Sequence, residues 1–177
     1  MPTTHHLHQL HQSLREIIED LSTRPPVPPA KLDDEQIAAL LPTSTVQQRV
    51  ICLPARAERD LLAAAMLSHL LTLQGCDVVN TPDTLAANEL VTLVEKSDVD
   101  VACISVVAPS TVIHARYLCL KLRSKIPDLK IIIGLWGATA GISEVVRRLR
   151  DSGADEVVVS VADALAQIAM PDGLPVE

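Results

Sequence analysis

The sequence has no phenylalanine, one tryptophan and one tyrosine, so aromatic residues make up 1% of its 177 positions. A core without rings must be filled by Val, Ile, Leu and Ala, and Trp136 and Tyr117 become positions that need a reason. Basic residues are in deficit. Fifteen Lys and Arg face 22 Asp and Glu, a net charge of −7 that repels phosphate backbones and anionic headgroups and disfavours nucleic acid as a partner. The four cysteines, Cys52, Cys76, Cys103 and Cys119, show no C-x-x-C spacing. Three of them lie in or beside apolar runs, where a free thiol packs as a small hydrophobe, so a reduced, cytoplasmic setting is expected. Long hydrophobic runs are also missing. The stretches from Leu61 to Leu73 and from Ile131 to Ile142 fall short of the roughly 20 residues of a membrane span, and no basic-then-apolar leader opens the sequence. A soluble polypeptide is the expectation.

What is present is the composition of a folded protein, 48% hydrophobic and 21% charged, in a length that suits one domain with an arm. Residues 1–45 read as a helical arm. Leu14, Ile17, Ile18 and Leu21 fall on one face of a short amphipathic helix. Residues 24–30 carry Pro25, Pro26, Pro28 and Pro29, which impose extended polyproline geometry and act as a linker. A second short helix is expected from Asp33, with Gln36 reaching back to its cap and Pro42 ending it.

Residues 46–177 read as an α/β domain. Apolar runs of strand length (RVICLP, DVVNT, VDVACISVV, LKIIIGL, DEVVVS) alternate with helical segments, giving five βα units. Continuous Val/Ile runs mean strands covered on both faces, as in a doubly wound parallel sheet. In the first helix Leu62, Met66, Leu70 and Leu73 are expected to point inward, with Gly75 supplying a left-handed cap. The fold expected is flavodoxin-like (Rossmann-like), with five strands in the order 2-1-3-4-5, and any crevice should open where strands 1 and 3 diverge. Three loops would line it: Leu53 to Glu58, Val106 to Thr111 and Gly134 to Gly141.

These loops lack the usual chemistries of the fold. No G-x-G-x-x-G or G-x-x-x-x-G-K-[ST] follows the first strand, so the amide cradle for a pyrophosphate or triphosphate is not supplied in the usual way. A phospho-acceptor receiver needs acidic residues after strand 1 and an Asp after strand 3, where this chain has Leu53-Pro54-Ala55 and Val107-Ala108-Pro109. No Ser-His-Asp string, H-E-x-x-H or paired-carboxylate motif can be read. An enzyme on this scaffold would need a partly buried acid or base in the crevice, for which His114 is the candidate.

From about Arg49 to Met170 the chain resembles the cobalamin-binding (B12-binding) domain, marked by D-x-H-x-x-G after strand 1, S-x-L after strand 3 and G-G after strand 4. Glu58 to Ala63, Ser105 to Val107 and Gly134-Leu135 fall on those motifs, and Ser105 and Gly134 are retained. The resemblance places Asp60 where the cobalt-ligating histidine would stand. A carboxylate is a poor substitute for neutral imidazole there, so cobalamin, if bound, is expected without histidine ligation. The strings LPARAERD, HARYLCLKLRSKIPDLKIIIGLWG and SLREIIEDL are similar to the cytoplasmic C-terminal region of PerM-like permeases of the autoinducer-2 exporter family. That likeness implies a permease-associated regulatory module, with the arm leaving a membrane portion and the prolines as tether. This chain carries no spans of its own, which implies a standalone version that does not itself transport.

The expectation is a non-catalytic small-molecule-binding or regulatory domain; an interaction or assembly domain without a ligand is the alternative. Carried over by position, the crevice comprises Ala55, Arg56, Ser105, Ser110, Thr111, His114, Gly134, Trp136 and Gly137. Expected partners are a corrinoid or other small molecule, a permease met through the arm, or a second copy of the chain. Ser110 or Thr111 would cap the helix that carries His114, Arg116 and Tyr117, a trio open to an anionic or planar ligand or simply solvated beside a stripe of Ala115, Leu118, Cys119, Leu122 and Ile126. Trp136, between Gly134 and Gly137, is read as a ligand contact, a plug in a former cofactor channel, or an interface residue. Arg56, Glu58, Arg59 and Asp60 could form a polar gate or an ion-pair network at the helix start and read more simply as structural decoration, and His69 reads as a core-edge residue. His5, His6, His8 and His11 offer adventitious Ni or Zn ligands but no completed site, so no metal is expected.

Overall fold

Apolar segments too short for helices form the strands, and the longer ones between them form the helices, throughout the described part of the chain. A computed structural model describes residues 48–82, 85–107, 111–138 and 142–169. The arm, its linker, the helix expected from Asp33, the amino-terminal histidines and Ser110 lie outside the described residues. In chain order the elements are β1 (Arg49–Pro54), α1 (Glu58–Leu73), β2 (Asp77–Val79), α2 (Ala87–Ser97), β3 (Val101–Val106), α3 (Val112–Lys125), β4 (Lys130–Leu135), α4 (Ser143–Arg150), β5 (Glu156–Val158) and α5 (Val161–Ala169).

The strands form one five-stranded sheet in the order β2-β1-β3-β4-β5, and every adjacent pair is parallel. This is the flavodoxin-like order expected from the sequence. Alternation along each strand divides the core into two layers. Ile51, Leu53, Ala102, Ile104, Ile131 and Ile133 face α2, α3 and α4, whose Leu90, Val94, Leu118, Leu122 and Leu149 close over them. Val50, Cys52, Val101, Cys103 and Ile132 face α1 and α5, meeting Ala64, Leu67, Leu71, Ala164 and Ile168. β3 is buried along its whole length, because it lies mid-sheet with helices on both sides.

The inward stripe expected for α1 is corrected by the structure. Ala64, Leu67 and Leu71 are buried, whereas Met66, Leu70 and Leu73 are 52%, 37% and 66% exposed. The helix is apolar nearly all round, so its pattern leaves the rotation about its axis open. Buried Asp60 sits on the same side as Ala64, Leu67 and Leu71 and fixes it. In α3 the expected stripe is the observed one: Ala115, Leu118, Cys119 and Leu122 are buried, and Ile126 packs half-buried at its end. Gly75 follows α1 with φ +87°, the left-handed position expected of it. Among the described residues no helix is long and apolar enough to cross a membrane.

At the amino-terminal end of the sheet Arg123 acts as an internal strut. Its guanidinium donates to the carbonyls of Pro127, Leu129 and Gly153 and to Asp155 Oδ2. That same carboxylate oxygen accepts the amide of Ile131 at 2.7 Å. The strut therefore ties α3 to the start of β4 and to the turn before β5.

Candidate functional site

The crevice end of the sheet is built around a carboxylate. Asp60 is the third residue of α1 and has no solvent exposure. Its Oδ2 accepts the amides of Arg56 at 3.1 Å and Ala57 at 2.9 Å. Its Oδ1 accepts the amide of Val107 at 2.8 Å and the Thr111 hydroxyl at 3.4 Å. Arg56 and Ala57 belong to the loop after β1, and Val107 and Thr111 to the loop after β3, so one side chain joins the two loops that flank the topological switch. Backbone amides converging on one point form a nest for an anion. Here the anion is part of the chain. Thr111, expected as a helix cap, makes no side-chain cap bond and turns its hydroxyl to Asp60 instead. The surface ion-pair cluster expected at Arg56 to Asp60 is corrected in the same way: Asp60 is interior and bonds to backbone.

A second constellation lies beside it on the α1 and α5 side of the sheet. Parallel register sets Pro54 opposite Ser105 and Ser105 opposite Gly134. Two backbone bonds prolong the ladder past the strand ends, Ala55 N to Ser105 O at 3.1 Å and Trp136 N to Val106 O at 2.8 Å. The chain then turns back, and the Trp136 indole lies on Gly134 so closely that a Cβ there would fall among the ring atoms. Trp136 packs half-buried against the layer that contains Val50, Cys52, Leu67 and Val158. Among the described residues two polar atoms are left over in this place: Ser105 Oγ and Trp136 Nε1 are both buried without a hydrogen-bond partner. Ser105 is fully buried.

The remaining expected residues spread around the rim. Ala55 is half-buried against the α3-side layer, and Arg56 is exposed. His114 is half-buried in the first turn of α3 and makes no hydrogen bond or ion pair among the described residues. Gly137 has φ +77° and nothing near the place of a Cβ. The structure thus gathers Arg56 and Thr111 around Asp60, and Ser105, Gly134 and Trp136 around the indole. The role of Asp60 was not evident from sequence, because a carboxylate near a helix start is ordinarily solvated; its spacing of three from Ala57 was the available signal.

Burial pushes the Cys52 thiol up to about 12 and Cys119 up to about 11. It raises Cys103 well above its ordinary value and shifts Cys76 in the same direction, which favours the protonated, less nucleophilic form of each thiol. Among the described residues no group of three or more His, Cys, Asp or Glu is placed to hold a metal ion.

No protein-family model and no curated protein matches the chain. Solved structures do. The fold is similar to that of a cobalamin-binding protein from Desulfitobacterium hafniense DCB-2, with a TM-score of 0.56 and 18% identity over 69% of this chain and 58% of that one. A CheY-like protein from Pseudomonas aeruginosa PAO1 aligns with a TM-score of 0.49 and 17% identity over 73% of this chain and 98% of its own. The chain spans less than two thirds of the length of the cobalamin-binding neighbour. The likeness to that neighbour is one of fold: a five-stranded, flavodoxin-like sheet of the B12-binding-like type.

Proposed function

We propose that the chain is a non-catalytic regulatory domain of the B12-binding-like type, degenerate at the position of the cobalt-ligating histidine, whose signal is contact with a partner protein. The observation that carries this reading is the fourfold engagement of Asp60. A carboxylate held by three amides and a hydroxyl has no free oxygen to offer a metal. It also binds together the loops that would have to part for a corrinoid to enter. Alongside it, Trp136 covers Gly134, where the resemblance would run the cofactor tail. The residues present therefore do not suit a corrinoid held through a protein imidazole, and no chemical step is assigned to one.

The partner we assign is a membrane permease of the PerM-like, autoinducer-2 exporter type, met through the arm at residues 1–45 from a cytoplasmic position. This follows the likeness of SLREIIEDL, LPARAERD and the α3–β4 string, and it agrees with thiols kept free and reduced. Exposed Ile113, Tyr117 and Leu120, spaced along one side of α3, offer a second apolar contact. A small ligand at the crevice end, where Ala55, Arg56, Thr111, His114 and Gly137 lie and where the sequence alone also places Ser110, is the alternative reading, supported by the exposed guanidinium of Arg56 and by half-buried His114.

Titration with hydroxocobalamin, followed through the corrin absorption bands and Trp136 fluorescence, tests the proposal. Unchanged bands and unquenched fluorescence at tens of micromolar are expected. Saturable band shifts characteristic of a replaced lower ligand would overturn it. For the partner, co-purification with a co-expressed PerM-like permease should depend on residues 1–45; retention without them would move the contact to the α/β domain.

A further inference from the structure

The acidic balance of the chain is unevenly spread. Residues 101–150 carry eight Lys and Arg against two Asp and Glu, within a chain whose net charge is −7. Half of that basic charge is gathered on α3, which has Arg116, Lys121, Arg123 and Lys125 and no acidic residue. Successive residues of a helix turn by about 100°, so positions 113, 117 and 120 fall on one side and 115, 118, 119 and 122 on the other. The second set is the buried stripe; the first is Ile113, Tyr117 and Leu120, all exposed. Both flanks of this apolar ridge are basic. On the α4 side stands Arg116, whose Nε donates to Ser152 Oγ at 3.0 Å. On the α2 side stands Lys121, whose ammonium donates to Asn88 Oδ1 at 2.6 Å and lies 5.0 Å from the centre of the Tyr117 ring. These anchors hold the charges at the edges of the ridge before any partner arrives, which lowers the entropy lost on binding.

We propose that the outer face of α3 is a docking site for an acidic amphipathic helix of a partner protein. Apolar side chains at i, i+4 and i+7 of that helix pack on Ile113, Tyr117 and Leu120, and carboxylates on either side of them meet Arg116 and Lys121. The inference rests on the reading of a partner-contacting regulatory domain and supplies the chemistry of the partner. Charge selects among the occupants. A second copy presenting the same face would set like charges against each other. An anionic bilayer is an extended plane that meets the charge of the whole molecule, which is −7, whereas a helix about 10 Å across lies within about one Debye length of α3. The outer face of α1 is apolar too, with Met66, Leu70 and Leu73 exposed. No Asp, Glu, Lys or Arg lies between Asp60 and Asp77, however, so that face has no charge to steer an acidic segment.

The probe is a fluorescein-labelled peptide about four turns long, with leucine at the i, i+4 and i+7 positions and glutamate on both flanks, titrated with the full-length protein and followed by anisotropy. Saturable binding with a Kd in the tens of micromolar is expected, weakening as salt is added. Ile113→Ser with Tyr117→Ser should weaken it at least tenfold. Lys121→Glu with Lys125→Glu should weaken it about tenfold at low salt and flatten the salt dependence. Leu70→Ser, on the other side of the sheet, should leave it unchanged. Equal binding of a lysine-for-glutamate peptide, retention in the Ile113→Ser, Tyr117→Ser protein, or no binding to a wild type of native circular dichroism would overturn the proposal. So would sedimentation with phosphatidylserine vesicles that the same variants abolish, which gives the face to lipid. A dimer in analytical ultracentrifugation that Ile113→Ser with Tyr117→Ser dissociates would give it to a second copy. The assay contains neither permease nor corrinoid, so it can fail while co-purification through residues 1–45 succeeds, and the reverse.

Discussion

Asp60 holds the loops after β1 and β3 together by accepting three backbone amides and the Thr111 hydroxyl. As a string, Arg56-Ala57-Glu58-Arg59-Asp60 is a charged surface turn, and nothing in composition separates its last member from the other three charged residues. The difference lies in geometry. Only the third helical position places a carboxylate where it can reach back to Ala57 N and across to Val107 N, and the exposed Glu58 and Arg59 have no such reach. Charge-assisted bonds to backbone amides are among the stronger ones in proteins, and removing their common acceptor strands buried donors. Asp60→Ala is therefore expected to destabilise the domain by about 3 kcal/mol in urea melts. Asp60→Asn, which retains one acceptor oxygen but turns an NH2 group toward other donors, should fall between the two. A loss below about 0.5 kcal/mol for Asp60→Ala, the range of ordinary surface changes, would mean that the loops are joined by something else.

At the scale of the element, legibility depended on contrast. The strands and the stripe of α3 could be read because Val/Ile runs stop at loop residues and because Ala115, Leu118, Cys119 and Leu122 alternate with polar neighbours. α1 has no such contrast: from Leu61 to Leu73 nearly every residue is apolar, and the buried face is selected by the sheet and by Asp60 rather than by pattern. The corrected rotation has a direct consequence. Leu67→Ala should cost about 2–5 kcal/mol, as buried leucines do, whereas Leu70→Ser should stay within about 0.5 kcal/mol. The opposite order, read from denaturation midpoints at equal slope, would restore the stripe expected from sequence. α4 carries a different kind of information. Glu144 in its first turn is bonded by Arg147 and Arg148 one turn on, at 2.7 and 2.8 Å, which holds its carboxyl down to about 2 from 4.5. A depressed carboxyl stabilises the fold above its unfolded value, so this contribution is present above about pH 4.5 and is lost as pH falls toward about 2. All three side chains are exposed, so added salt should weaken the interaction. Glu144→Gln should remove that portion of the acid transition at low ionic strength and leave the neutral-pH fold in place, as read by circular dichroism from pH 5 downward.

For the molecule as a whole, the near-absence of aromatic residues turns from a compositional oddity into a property of the core. Both layers are aliphatic, and the single tryptophan is attached to one of them at the crevice end while Tyr117 stands 49% exposed on α3. The five-stranded order was legible from the count and spacing of βα units, since right-handed crossovers leave few alternatives. Which strand ends come together was not, because a register such as Ser105 opposite Gly134 is set by tertiary pairing that no local pattern encodes. The placement of Trp136 then determines what its fluorescence reports. If the indole belonged to a surface loop, its emission would change at lower denaturant than the secondary structure does. Packed on the layer of Val50, Cys52, Leu67 and Val158, and joined through Gly134 to the middle of the sheet, it can leave only when that layer opens. Fluorescence and far-ultraviolet circular dichroism should therefore share one midpoint in urea for the α/β domain, the behaviour of a cooperative unit of this size. An earlier fluorescence transition would show that the crevice end melts as a separate, weaker unit, and the indole would then be a cover over the sheet rather than part of its core.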